Sequence, residues 1–116
     1  MIKTETLKKN YEFRRILTKG KYVSGRYIEC FYQNNKNKDI NFIGIAISSK
    51  SAKAVKRNHI KRLIRENYCF IEKRIKTGKS FVFLWKKNKA ISNATFSNIK
   101  KDMNKIMLEM DMFVNE

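Results

Sequence analysis

The sequence predicts an α+β domain built on a single mixed sheet. Three observations carry that reading. Two strand-like stretches rich in β-branched and aromatic residues precede a long amphipathic helical pattern, the short apolar run Phe81–Trp85 follows it, and a second helical stripe comes late in the chain. A strand, a long helix and another strand in one sheet require a crossover. Such a crossover buries the helix's apolar side and leaves its other side in solvent. The 116 residues are expected to form one domain, 1–116, long enough to bury roughly two-thirds of the surface of the unfolded chain.

Residues 1–6 read as a short polar lead-in. Asn10 is placed to cap a helix over Tyr11–Lys19, with Gly20 as the left-handed residue that closes it. Phe13, Ile16 and Leu17 form its apolar stripe at i, i+3 and i+4. Lys21–Tyr32 is strand-like, and Gln33–Asp39 is a loop or hairpin turn. In the strand expected over Ile40–Ser48, Ile43, Ile45 and Ile47 share one face, while Gly44 and Ala46 let a helix approach the other. A helix from about Lys53 to Lys76 follows, ended by Thr77-Gly78, with Ile60, Leu63, Ile64 and Ile71 on its packing side. Phe81–Trp85 is apolar throughout, as a strand at the centre of a sheet must be. Thr95 caps a last helix whose core stripe is Phe96, Ile99, Met103, Ile106, Met107 and Met110.

Charge is the strongest pointer to function. There are 27 Lys plus Arg against 10 Asp plus Glu, a formal net charge of +17, yet 42% hydrophobic residues mark a folded protein. From Ser49 to Glu66 the chain reads SKSAKAVKRNHIKRLIRE, which gathers Lys50, Lys53, Lys56, Arg57, Lys61, Arg62 and Arg65 with no acid between Asp39 and Glu66. A cluster of this kind repels itself, and a polyanion that neutralises it is the natural partner. On a helix Arg57, Lys61 and Arg65 succeed one another at i, i+4 and i+8, with Asn58 and Arg62 in the strip beside them. Guanidinium forks hold phosphates bidentately, and Asn58 adds a neutral hydrogen bond. Phe13, Tyr27, Phe31, Tyr32 and Trp85, on the first helix and the sheet, either pack in the core or line a groove where unpaired bases stack.

Catalysis by the chain itself has little support. The single histidine, His59, lies inside the basic cluster; it is either an RNA contact or a polar helix residue. The acids are scattered, with no spacing of a two-metal site, and no Gly-rich phosphate loop is present. No catalytic residue and no metal site is therefore expected in this chain. Cys30 and Cys69 stand alone and read as two buried, reduced thiols of a cytosolic protein. No signal peptide is evident and no apolar run approaches the length of a membrane span, so no membrane partner and a cytoplasmic location are expected. A helix-turn-helix DNA reader needs a short helix directly before the basic one, which the pattern lacks, so DNA is not an expected partner.

LKKNYEFRRIL over Leu7–Leu17, GRYIECFY over Gly25–Tyr32 and KAVKRNHIKRLIRE over Lys53–Glu66 together resemble the protein subunit of bacterial ribonuclease P. The likeness continues through Phe81–Trp85, Lys86-Lys87 and the Thr95-capped helix. It implies α-β-β-β-α-β-α order, three strands between Lys21 and Ser48, and a left-handed βαβ crossover (a ribosomal protein S5 domain 2-like fold). It also implies an activity, endonucleolytic removal of the 5′ leader from precursor tRNA. In that family the RNA subunit is the catalyst and holds the essential Mg2+ ions; the protein binds the RNA subunit and the leader.

Carried over by position, Arg57, Asn58, Lys61, Arg62 and Arg65 match the family's helix motif facing the RNA subunit. Lys50, Lys53 and His59 belong to the same patch. Phe13, Leu17 and Phe31 correspond to the family's central cleft for the single-stranded leader, and Lys86 to a basic position after the next strand. The chain departs from the family pattern at His59, where arginine is usual, at Ala52, where glycine is common, and at Leu17, which replaces an aromatic ring. A basic ribosomal or RNA-chaperone protein with no catalytic partner is the alternative.

Overall fold

The apolar run at Phe81 lies where its composition requires, in the middle of a five-stranded sheet, in the computed structural model, which describes residues 1–114. In chain order the elements are β1 (Thr4–Thr6), α1 (Asn10–Lys19), β2 (Lys21–Ser24), β3 (Ile28–Asn34), β4 (Asn41–Ala46), α2 (Ala54–Ile71), β5 (Lys79–Trp85) and α3 (Phe96–Glu109). Single 3-10 turns occupy Glu72–Arg74 and Ile91–Asn93. The strand order is β1-β4-β5-β3-β2; β5 runs parallel to β4 and antiparallel to β3. The crossover from β4 through α2 to β5 and the three strands between Lys21 and Ser48 are both present.

The alternation of β5 sends Phe81, Phe83 and Trp85 into the main core and Val82 into a smaller one on the other face. The main core lies under α2 and α3, where Ile60, Leu63, Ile64 and Tyr68 meet Ile99, Met103, Ile106 and Met107. The smaller core lies under α1 and joins Leu7, Ile16 and Val82, with Phe13, Phe31, Phe42 and Leu84 partly buried against it. Gly44 has the role its position predicts: a Cβ there would stand 2.5 Å from the Phe13 ring, so α1 sits directly on β4. Thr95 caps α3 by accepting from the Asn98 N–H at 3.2 Å.

Two buried carboxylates fasten distant segments. Asp102 of α3 accepts from the backbone N–H groups of Arg26, Tyr27 and Ile28 at 2.9, 2.7 and 3.0 Å, which pins the β2–β3 turn. Gly25 leaves the space for it, since a Cβ would lie 2.3 Å from the Asp102 carboxyl carbon. Glu72 accepts from the N–H groups of Ile2 and Lys3 at 2.9 and 3.2 Å.

Several local expectations are corrected. Residues 4–6 of the polar lead-in form a strand, β1, parallel to β4; Glu72 anchors its approach, and buried Thr4 shares a 2.7 Å hydrogen bond with the Tyr68 hydroxyl. Asn10 is the first helical residue and not the cap, because Lys9 occupies that position without a side-chain bond. Gly20 is extended (φ −73°); what it needs is space, since a Cβ would meet the Ile16 carbonyl oxygen at 2.4 Å. Of the loop and the hairpin turn expected after β3, the loop is present, because β5 is inserted between β3 and β4. Helix α2 stops at Ile71, and the chain turns so that Ile75 re-enters the core and bridges to Phe113. Of the two cysteines only Cys30 is buried, and burial pushes its thiol up; Cys69 is exposed.

Candidate nucleic-acid interface

The amphipathic pattern of α2 decides what its outer side can present. With Ile60, Leu63, Ile64, Tyr68 and Ile71 buried, Asn58, His59, Arg62 and Arg65 are left exposed, and Arg57 and Lys61 half-buried. Lys50 and Lys53 are exposed in the segment that leads into the helix. Arg57 divides its guanidinium: one Nη donates to the Ala52 carbonyl at 2.7 Å and clasps that segment. Arg62 donates to His59 Nδ1 at 3.4 Å and lies 4.0 Å from the Glu66 carboxylate. Among the described residues Arg62 is the sole cation of this ridge in an ion pair. Helix α2 also starts with no side-chain cap and no acid in its first turn, while Lys53, Lys56 and Arg57 crowd its positive end. That arrangement disfavours the free protein and favours a phosphate.

The second surface is on the opposite sheet face. Helix α1 has ten residues and covers only part of that face. Beyond it lies a groove of about 610 Å³, with Phe31, Ala46 and Leu84 among its lining, Tyr22 and Glu29 toward β2, and Lys86 and Lys87 after β5. The Tyr22 and Phe31 rings lie 5.0 Å apart at 58°, and the Tyr22 hydroxyl donates to Glu29 at 2.8 Å. Of the expected cleft residues, Phe31 and Lys86 line this groove together. Phe13 packs in the apolar cluster beside it, and Leu17, 36% exposed, is outside its lining.

Tyr27 and Tyr32 pack against the main core and are outside the groove's lining; Trp85 contributes to that lining but is only 3% exposed and stacks on Tyr27 at 5.7 Å, so it belongs chiefly to the core. Tyr22 does, and sequence reasoning passed it over. Its signal is register: Tyr22 pairs with Phe31 across β2 and β3 and so shares its face. The two surfaces are continuous along the chain. Ala46 pairs with Leu84, so β4 and β5 leave the sheet at one end, and from Ser48 at the groove the backbone runs through Lys50 and Lys53 into α2.

The donor set does not fit a magnesium site. Among the described residues no three of His, Cys, Asp and Glu gather, and Glu72 and Asp102 spend their oxygens on backbone N–H groups. Nor is any helix long and apolar enough to cross a membrane, among the described residues.

A family model described as Ribonuclease P matches residues 1–111. The chain belongs to the ribonuclease P protein family. Relatives named ribonuclease P protein component include one from Clostridioides difficile, 33% identical over 97% of this chain and 96% of its own length. Another, from Thermoanaerobacter sp. strain X514, is 31% identical over 92% of this chain and 90% of its own. The solved RNase P protein of Staphylococcus aureus superposes with a TM-score of 0.81 at 31% identity, covering 94% of this chain and 97% of that one. The Thermotoga maritima RNase P protein, at 23% identity and a TM-score of 0.77, shares the fold. As a ribonuclease P protein the chain is a subunit of that enzyme, an RNA-binding partner of ribonuclease P RNA in tRNA processing.

Proposed function

We propose that this subunit works in the cytoplasm as the protein cofactor of a ribozyme: α2 docks on ribonuclease P RNA, and the groove beside α1 holds the 5′ leader of precursor tRNA. The observation that carries this reading is the separation of a cationic ridge and an open aromatic groove onto opposite sides of one sheet, joined at the end where β4 and β5 leave it. Arg57, Arg65, Lys61 and Asn58 engage phosphates of the RNA subunit, with Arg62, His59, Lys50 and Lys53 extending the patch. In the groove Phe31 and Tyr22 offer rings to unpaired bases, Phe13 backs them from the adjoining apolar cluster, and Lys86 meets the backbone.

On this reading the RNA subunit would hold the Mg2+ ions that would supply the chemistry of endonucleolytic cleavage. This chain's part is to bind and orient. A precursor that fills the groove gains contacts a mature tRNA lacks, which raises its affinity without any catalytic side chain from the protein.

The test is reconstitution with bacterial ribonuclease P RNA at low Mg2+. Accurate 5′ maturation is expected only when protein and RNA are combined. Cleavage by the protein alone, or no stimulation of the RNA, contradicts the reading. The second outcome points instead to a chaperone-like RNA binder.

A further inference from the structure

Past the basic motif, α2 carries an apolar feature that the ridge does not use. Phe70 is 72% exposed near the end of a helix that buries Leu63, Ile64, Tyr68 and Ile71. Its ring is held in place: it meets Phe96 of α3 edge-on at 5.7 Å and 80°. Phe70 is also the wall between two recesses. One, about 430 Å³, follows the outer side of α2 between Arg62, Arg65, Glu66 and Cys69. The other, about 220 Å³, lies between α2 and α3, where Ile71 and Met103 are buried and Arg74 and Lys100 are exposed.

The chemistry of the two recesses narrows the occupant. Four cations, Arg62, Arg65, Arg74 and Lys100, surround the ring against one acid, Glu66, which faces Arg62. An apolar side chain of a protein partner would use the ring and leave these charges uncompensated. A nucleotide uses both, because every base has a π-face and each nucleotide within a strand is flanked by phosphates on its sugar. We propose that an unpaired nucleotide of the RNA subunit stacks on Phe70, with its flanking phosphates held by Arg62 and Arg65 on one side and by Arg74 and Lys100 on the other. This extends the RNA footprint from the start of α2 to its end and onto α3, and it rests on the reading of α2 as the side facing the RNA subunit.

The experiment uses the full chain and ribonuclease P RNA, with affinity measured across a salt series. Phe70→Leu keeps an apolar side chain but removes the flat ring; it should weaken binding on the order of tenfold, the scale of one lost base stack. The slope of log affinity against log salt should not change, because a neutral ring releases no counterions. Phe70→Trp should bind as the native chain does. Thermal midpoints of both free variants should match it, because the ring is exposed.

Arg65→Ala is the separating arm, with weaker binding and a flatter salt slope expected. If Phe70→Leu binds within about twofold of the native chain while Arg65→Ala is impaired, the stacking site is wrong and the ridge stands. If neither is impaired, the RNA-facing assignment of α2 fails as well. Altered self-association of Phe70→Leu with unchanged RNA binding would make a second copy the occupant and overturn the proposal.

Discussion

Phe83 and Phe31 sit on neighbouring strands of one sheet and face opposite ways. Phe83 is 0% exposed beneath α2 and α3, whereas Phe31 is half-buried in a groove that α1 does not reach. Two helices close one face of the sheet; a single ten-residue helix cannot close the other. The sealed face supplies most of the stabilising burial. The open face forgoes part of it and keeps rings and lysines accessible, which is what a binding groove requires. The difference teaches that the incompletely covered face leaves a surface free to bind, and that the burial it forgoes is supplied by the opposite core.

The comparison can be broken most simply by truncating each ring. Phe83→Ala should lower unfolding free energy in urea by about 3–5 kcal/mol, as for a fully buried phenylalanine. Phe31→Ala should lower it by about 1–2 kcal/mol, because part of that ring is already in water. Equal losses would mean that both faces are core.

Asp102 sharpens the point for polar groups on the sealed side. Asp102→Asn keeps the shape but replaces one acceptor oxygen with a donor, facing N–H groups that need acceptors. A loss of about 1.5–3 kcal/mol is expected, and native stability in the variant would refute the clamp.

The smallest effect concerns Glu72. Burial alone would raise its carboxyl, but the Thr4 hydroxyl and the N–H groups of Ile2 and Lys3 hold it below its ordinary value of 4.5. The fold therefore favours the ionised form. Its contribution is complete above the ordinary value and is lost as pH falls through the lower, folded one. The thermal-midpoint difference between the native chain and Glu72→Gln should shrink on going from pH 7 to strongly acidic solution. A difference that grows on acidification would reverse the assignment.

What could be read from the sequence divides along physical lines. The packing side of α2, the central position of β5, the Thr95 cap and the close approach at Gly44 follow from local periodicity and size, and each is present. The ridge was legible for the same reason, since Arg57, Lys61 and Arg65 lie within one helix. Strand β1 was not legible. Its Thr-Glu-Thr is polar, and its partners Tyr68 and Glu72 are more than 60 residues away in the chain, beyond any local pattern. The end of α2 was misplaced because the helix-forming composition continues through Lys73 and Lys76, while Ile75 is drawn into the core by tertiary packing. The groove was half legible: Phe31 and Lys86 were expected there, but Tyr22 enters through strand register alone.

The most direct test of the central claim crosses the two surfaces with two ligands. Affinities for ribonuclease P RNA, and of the assembled enzyme for precursor and mature tRNA, are measured for Arg65→Ala and Phe31→Ala. Arg65→Ala should weaken assembly with the RNA subunit and flatten its salt slope by about 0.7–0.9. Phe31→Ala should leave assembly unchanged and weaken precursor tRNA by about 1–3 kcal/mol, with mature tRNA unaffected. If Phe31→Ala instead weakens assembly and treats precursor and mature tRNA alike, the two faces do not divide the work and the account fails.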